Sequence, residues 1–235
     1  MENSNLYAAV TGDIVGSSRF RESQREDLLL VLKSSFHVVR KIMPDIIYAP
    51  FEVFRGDSFQ GVLSKPEKAL HVAIVIRANL RCHFHTKRRR SAVDARMVVG
   101  IGPVDFIPAR RVAEGDGEAF RRSGPTLDEM KRWKEDRRLL IRTPWKEIDA
   151  ELDTECALLD ALIIRWSSTQ ARAILDQFRG LTQEEAGEKY GISQSGVSQL
   201  LKDAGGWAIE RLCNRYEQVI DAAKKHKHLH EIEQW

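Results

Sequence analysis

The chain has no apolar run approaching the ~20 residues that a helix needs to cross a bilayer, which excludes a helical membrane protein. Its opening residues, MENSNLYAAV, lack the basic flank and long apolar segment of a secretory leader, so a cytoplasmic location is expected. Cysteine is scarce. Cys82, Cys156 and Cys213 are odd in number and match no zinc or redox spacing, which excludes a disulfide framework and points to buried thiols. Neither sign of charge dominates: 37 Lys and Arg against 34 Asp and Glu leave a net charge of +3, which permits nucleic-acid binding without requiring it. Two basic runs, Lys87-Arg88-Arg89-Arg90 and Lys224-Lys225-His226-Lys227-His228, are expected chiefly as solvated segments. His83 and His85, and the tail histidines His226, His228 and His230, are expected to be structural or exposed.

What is present is a soluble-type composition, 43% hydrophobic and 30% charged, in a length sufficient for two small domains. The first half alternates strand and helix signals. Leu6 to Thr11 is a short buried strand followed by glycine, and Leu28, Leu32, Phe36 and Val39 recur at helical spacing until Pro44 stops the helix. Phe51 to Arg55 and Ser58 to Leu63 are strand-like runs joined by Gly56-Asp57, a strong hairpin signal. A helix follows from about Ser64-Lys65-Pro66 to Phe84, with Leu70, Ala73, Ile74 and Leu80 on one core-facing stripe. Ala95 to Ile101 is a further strand. Gly117 to Glu135 has a helical pattern in which Gly124-Pro125 is expected to make an interruption or to begin a second helix, and Leu139 to Arg142 is a last short strand. This order predicts an α+β fold whose first domain, 1–146, is a ferredoxin-like βαββαβ palm. There the first strand is central, so Asp13, just past it, and Asp57, at the hairpin tip, meet at one edge.

Mg²⁺ is commonly held by one or two carboxylates together with substrate phosphates, so Asp13 and Asp57 form a minimal metal site. Gly16, Ser17 and Ser18, where the first strand turns toward its helix, offer backbone N–H groups to a phosphate, and Arg19 offers a charge-assisted contact. GDIVGSSR and RGDSF together resemble the palm of class III nucleotide cyclases, in which a first-strand Asp and a hairpin Gly-Asp bind two metals around a nucleoside triphosphate. More closely, the whole chain resembles the SatD family, small bacterial proteins with a cyclase-like first domain and a C-terminal helix-turn-helix. The chain departs from cyclases in two places. Val53 lies near the position of their purine-reading Lys, and GEAFRRSG offers Arg121 and Arg122 without the Asn of their later helix.

From Pro144 onward strand signals disappear, and 147–235 is expected to be an all-α domain. Leu152, Cys156, Leu159, Leu162 and Ile163 continue at helical spacing to about Arg165, in a helix that is also a candidate dimer surface. In GLTQEEAGEKYGISQSGVSQLLKDAG, Thr182 and Glu185 form a capping box, Gly191 permits a tight turn, and Ser193 caps the next helix. This is the helix-turn-helix plan, and the stretch resembles units of the sigma-region-4 and response-regulator type. Gln194, Ser195, Ser198, Gln199 and Lys202 face outward as candidate contacts to bases and phosphates of double-stranded DNA. A last helix from about Trp207 to Lys224 covers the unit, with Trp166 and Trp207 expected in the core. The combined expectation is a homodimeric DNA-binding transcriptional regulator with a palm that binds a nucleoside triphosphate or other nucleotide with Mg²⁺. The alternatives are a cyclase or nucleotidyl transferase targeted by its helix-turn-helix, and a palm retained only for dimerisation.

Overall fold

The computed structural model describes residues 5–83, 93–108 and 111–232. The basic run at 87–90 and His85 lie outside the described residues, as do the side chains of His226, His228 and His230. Among the described residues, five strands form one sheet in the order β2-β3-β1-β4-β5. They are β1 (Tyr7–Ile14), β2 (Ile47–Arg55), β3 (Ser58–Leu63), β4 (Ala95–Gly102) and β5 (Leu139–Arg142). The first four neighbours are antiparallel, and β5 adds parallel to β4 at the edge. With α1 (Glu22–Ile42) between β1 and β2, and α2 (Ala69–His83) between β3 and β4, this is the expected βαββαβ arrangement.

Alternation along β1 divides the core. Ala8 and Val10 face α1 and α2, whereas Ala9 faces α3 (Glu118–Met130), which covers the opposite side of the sheet through Ala119 and Phe120. Strand β1 runs to Ile14 instead of ending at Thr11, because β4 offers partners as far as Ala95, and Asp13 therefore lies within the strand, opposite Arg96. Gly12 permits this pairing, since a Cβ there would stand 2.5 Å from the Phe59 ring and 2.7 Å from the Arg96 carbonyl oxygen. Helix α3 is continuous through Pro125, contrary to the expected interruption. Pro125 is on its exposed side, where the carbonyl that loses its partner is open to water.

Five helices follow: α4 (Lys146–Ile163), α5 (Ser168–Phe178), α6 (Gln183–Tyr190), α7 (Gln194–Asp203) and α8 (Gly206–Ile232). They share one continuous apolar cluster with the palm, running from Ala8 and Leu28 through α2 to Leu159, Ile174 and Ile220. Helix α2 is consequently buried nearly all round, where the sequence pattern predicted a single buried stripe. Its far side, lacking solvent, is covered by α5 and α8.

Helix α2 also buries polar residues, of which Arg77 is fully enclosed. Its Nε and Nη2 donate to the two oxygens of Asp94, each at 2.9 Å, and its Nη1 donates to Asp160 on α4 at 2.5 Å. The two carboxylates hold the guanidinium charged, with its pKa raised, against the effect of burial. One turn on, Arg81 donates to the carbonyl oxygens of Ile164 at 2.6 Å and Trp166 at 3.1 Å, and the Trp166 indole N–H donates to the Ala204 carbonyl at 2.9 Å. Trp166 is core, as expected. Trp207 is not: it is 70% exposed, because Ile209, Cys213, Tyr216 and Ile220 take the inward side of α8 and leave position 207 on the outer one. All three cysteines are buried, with Cys82 and Cys213 pushed up to about 12 by desolvation. No helix among the described residues is long and apolar enough to cross a membrane.

Candidate functional site

Asp13 and Asp57 meet at one edge of the sheet. Asp57 turns back from the hairpin tip, where Gly56 adopts a positive φ of 64°, and its Oδ2 accepts the N–H of Ile14 at 3.2 Å. Asp13, one residue earlier on β1, is buried, and its Oδ1 has no hydrogen-bond partner. Two cations flank it: Lys131 Nζ stands 3.2 Å from Oδ2, and Arg96 Nη1 stands 3.7 Å from Oδ1. Burial raises the Asp13 pKa, the neighbouring Asp57 charge adds to the rise, and Arg96 and Lys131 oppose it. Lys131, just past the end of α3, gave no signal in the sequence, because its role depends on α3 crossing the sheet. Among the described residues no group of three His, Cys, Asp or Glu could hold a metal by itself. Asp13 and Asp57 are the carboxylates that would hold a hard cation, its coordination completed by ligand oxygens, with Asp13 Oδ1, which accepts no hydrogen bond, as one donor.

The four residues expected to bind phosphate divide into two pairs. Gly16 has φ 71°, and Ser17–Arg19 form a single 3-10 turn in which the N–H groups of Arg19 and Phe20 donate to the carbonyls of Gly16 and Ser17. Those two N–H groups are thus used inside the turn, whereas the N–H groups of Gly16, Ser17 and Ser18, the ones expected to face a phosphate, do not take part in these bonds. Ser17 and Ser18 line a cavity of about 230 Å³ together with Gly56, Asp57 and Arg25. Arg25, absent from the expected set, holds this loop by donating from Nε to the Phe20 carbonyl and from Nη2 to the Ser18 carbonyl, each at 3.0 Å. Gly16 and Arg19 instead line a separate cavity of about 710 Å³ with Arg96.

Arg121 and Arg122 do not join the aspartates. Arg121 is tied to Asp105, Asp116 and Glu118, while Arg122 donates to the Ile101 carbonyl and pairs with Glu118. That is the other end of β4 from Arg96, about 15–20 Å away at the rise of an extended strand.

In the helical half, Thr182 and Glu185 form the capping box that starts α6. Gly191 ends α6 in the left-handed region at φ 65°, and Ser193 caps α7 through the Gly196 N–H. The close approach between the two helices depends on Gly187, where a Cβ would lie 2.7 Å from the Ile192 carbonyl oxygen. Asp176 on α5, fully buried, accepts from Tyr190, from Lys189 at 3.0 Å and from Arg179 at 3.0 Å, locking α6 onto α5. Although burial opposes ionisation of Asp176, these donors outweigh it and lower its pKa. Gln194, Ser195, Ser198, Gln199 and Lys202 are all exposed on α7, while Val197 anchors its inner side. Ser195 shares a hydroxyl contact with Ser193 at 2.9 Å, and Gln199 donates to Asp203 at 2.7 Å.

Solved structures similar to this chain include the active GGEEF domain of a diguanylate cyclase from Vibrio cholerae, at 18% identity and a TM-score of 0.42, covering 60% of this chain and 85% of that one. A bacterial light-regulated adenylyl cyclase is similar at 12% identity and a TM-score of 0.36, covering 58% of this chain and 74% of that one. No curated protein matches the chain. Residues 161–205, from the end of α4 through α7, match the family Sigma-70, region 4, so the helical half carries a helix-turn-helix DNA-binding module of that type.

Proposed function

We propose that the protein is a homodimeric transcriptional regulator, in which 147–235 reads double-stranded DNA and the palm, 1–146, binds a nucleotide with Mg²⁺. The observation that carries the DNA half is the outward row of Gln194, Ser195, Ser198, Gln199 and Lys202 on the second helix of a Sigma-70 region 4 module. Gln can pair with adenine, Ser with bases or phosphates, and Lys neutralises phosphate. The palm reading is supported by the juxtaposition of Asp13 and Asp57 beside the Ser17-Ser18 turn. A bound Mg²⁺ would supply charge neutralisation for phosphate oxygens. Lys131 would have to swing aside from Asp13, and its exposed, flexible chain allows this. The remote placement and full engagement of Arg121 and Arg122 favour binding over turnover within one chain.

The DNA half is tested by selecting binding fragments from random duplex DNA and titrating one with the wild type and with Gln199→Ala/Lys202→Ala. The variant is expected to bind more weakly, with its log-log salt slope shallower by about 0.9, since one phosphate fewer is neutralised without Lys202. Unchanged affinity would remove the assignment of α7 as the reading helix.

A further inference from the structure

The larger of the two cavities beside the Gly16 turn lies where the palm meets the start of the helix-turn-helix module. Its walls carry Arg19, Arg81, Arg96, Arg138 and Arg165 against only Asp94 and Asp136, a net charge of +3. The two aspartates are already occupied. Asp94 is held in a fork by Arg77, and Asp136 pairs with Arg138. Hydrogen-bond donors remain in excess: the Nε groups of Arg81, Arg96 and Arg138 are buried without an acceptor, and the side chains of Arg19 and Arg165 have no partner among the described residues. Ser167, the N-cap of the eleven-residue α5, sits on the same wall. Phe20, Ile164 and Trp166 add an apolar side. A volume of about 710 Å³ is within the range of small-ligand sites.

We propose that this cavity binds a small polyanion of the multiply phosphorylated, nucleotide-sized class, without a metal ion. Guanidinium groups grip phosphate oxygens through charge-assisted, often paired hydrogen bonds, so the clustered donors need no divalent cation to balance the ligand. The cavity adjoins the Asp13–Asp57 pair through Arg96, which reaches Asp13 at 3.7 Å, but Asp57 itself lines the other cavity, so Asp57→Asn distinguishes the two readings. It also touches the DNA reader directly. Trp166 forms part of its wall, takes a hydrogen bond from Arg81 on its carbonyl, and holds the Ala204 carbonyl at the end of α7 with its indole N–H.

The test is calorimetric titration of the full chain in EDTA, at fixed low salt, with pyrophosphate and separately with ATP. Binding of at least one of these is expected, weakened about tenfold or more in Arg19→Gln/Arg165→Gln and unaltered in Asp57→Asn. The two arginines hold no other element in place, so the double variant should melt with the wild type. Absence of binding by both anions would overturn the proposal, as would undiminished binding in the double variant. A double variant that loses DNA affinity, in a protein that takes up neither anion, would also overturn it and assign these arginines to the DNA surface instead.

Discussion

Replacing Arg77 by methionine keeps an unbranched apolar stem as far as the Nε position and removes the guanidinium with its charge and hydrogen bonds. Three such bonds disappear: two to Asp94 at 2.9 Å and one to Asp160 at 2.5 Å. The carboxylates stay buried. Asp160 retains the N–H groups of Arg138 and Leu139, and Asp94 retains that of Ala95 and a long hydrogen bond from Arg81, but neither keeps a close cation of equal geometry. Breaking a buried pair in this way costs about 3–5 kcal/mol, a large part of the ~5–15 kcal/mol that stabilises a typical domain. With a urea m-value of about 2 kcal/mol/M, a loss of about 4 kcal/mol moves the unfolding midpoint down by about 2 M. The same reasoning predicts that adding Asp94→Asn and Asp160→Asn restores much of the loss, because the desolvation penalty of the two charges disappears with them. The assay is urea unfolding followed by far-UV circular dichroism. A midpoint shift under about 0.5 M in the single variant would show that the buried Arg77 pairs contribute little to stability, as would a triple variant no more stable than the single one.

Three further outcomes are expected. Asp176 has a depressed folded-state pKa, so its contribution is present above the ordinary carboxylate value and is lost as pH falls through the folded one. Asp176→Asn should therefore lower the melting temperature at pH 7 and narrow the gap to the wild type under acid, as read by thermal melts from pH 7 down to pH 3. Gly187→Ala drives a methyl group to 2.7 Å from the Ile192 backbone oxygen, and should abolish binding of a selected DNA fragment while the palm stays folded by circular dichroism. Trp166→Phe leaves the Ala204 carbonyl without its donor and should cost about 1–3 kcal/mol by urea titration.

Local chemistry made much of the fold legible. The hairpin at Gly56-Asp57, the capping box at Thr182 and Glu185, and the turn at Gly191 are decided by a few neighbouring residues, and each stands where its residues direct. Pairing between distant segments is a different matter. The end of β1 depended on how far β4 reaches, and the all-round burial of α2 depended on α5 and α8 covering it, neither of which is written within those segments. The partners of Asp13 illustrate the same limit at the site. Its meeting with Asp57 follows from strand order, but Arg96 and Lys131 arrive through cross-strand register and helix crossing. Likewise, the sequence puts Arg19 beside the Gly16 turn, whereas its place in a cavity with Arg138 and Arg165 follows only from the docking of α4 and α5 on the palm.

Calorimetric titration of the full chain with nucleoside triphosphates, in the presence and absence of Mg²⁺, tests Asp13 and Asp57 as a metal-nucleotide site. The expected result is a Mg²⁺-dependent component of binding that Asp57→Asn removes while the fold is kept. Binding that is indifferent to Mg²⁺ and to Asp57, or no binding of any nucleoside triphosphate, would contradict a metal-nucleotide sensor in the palm.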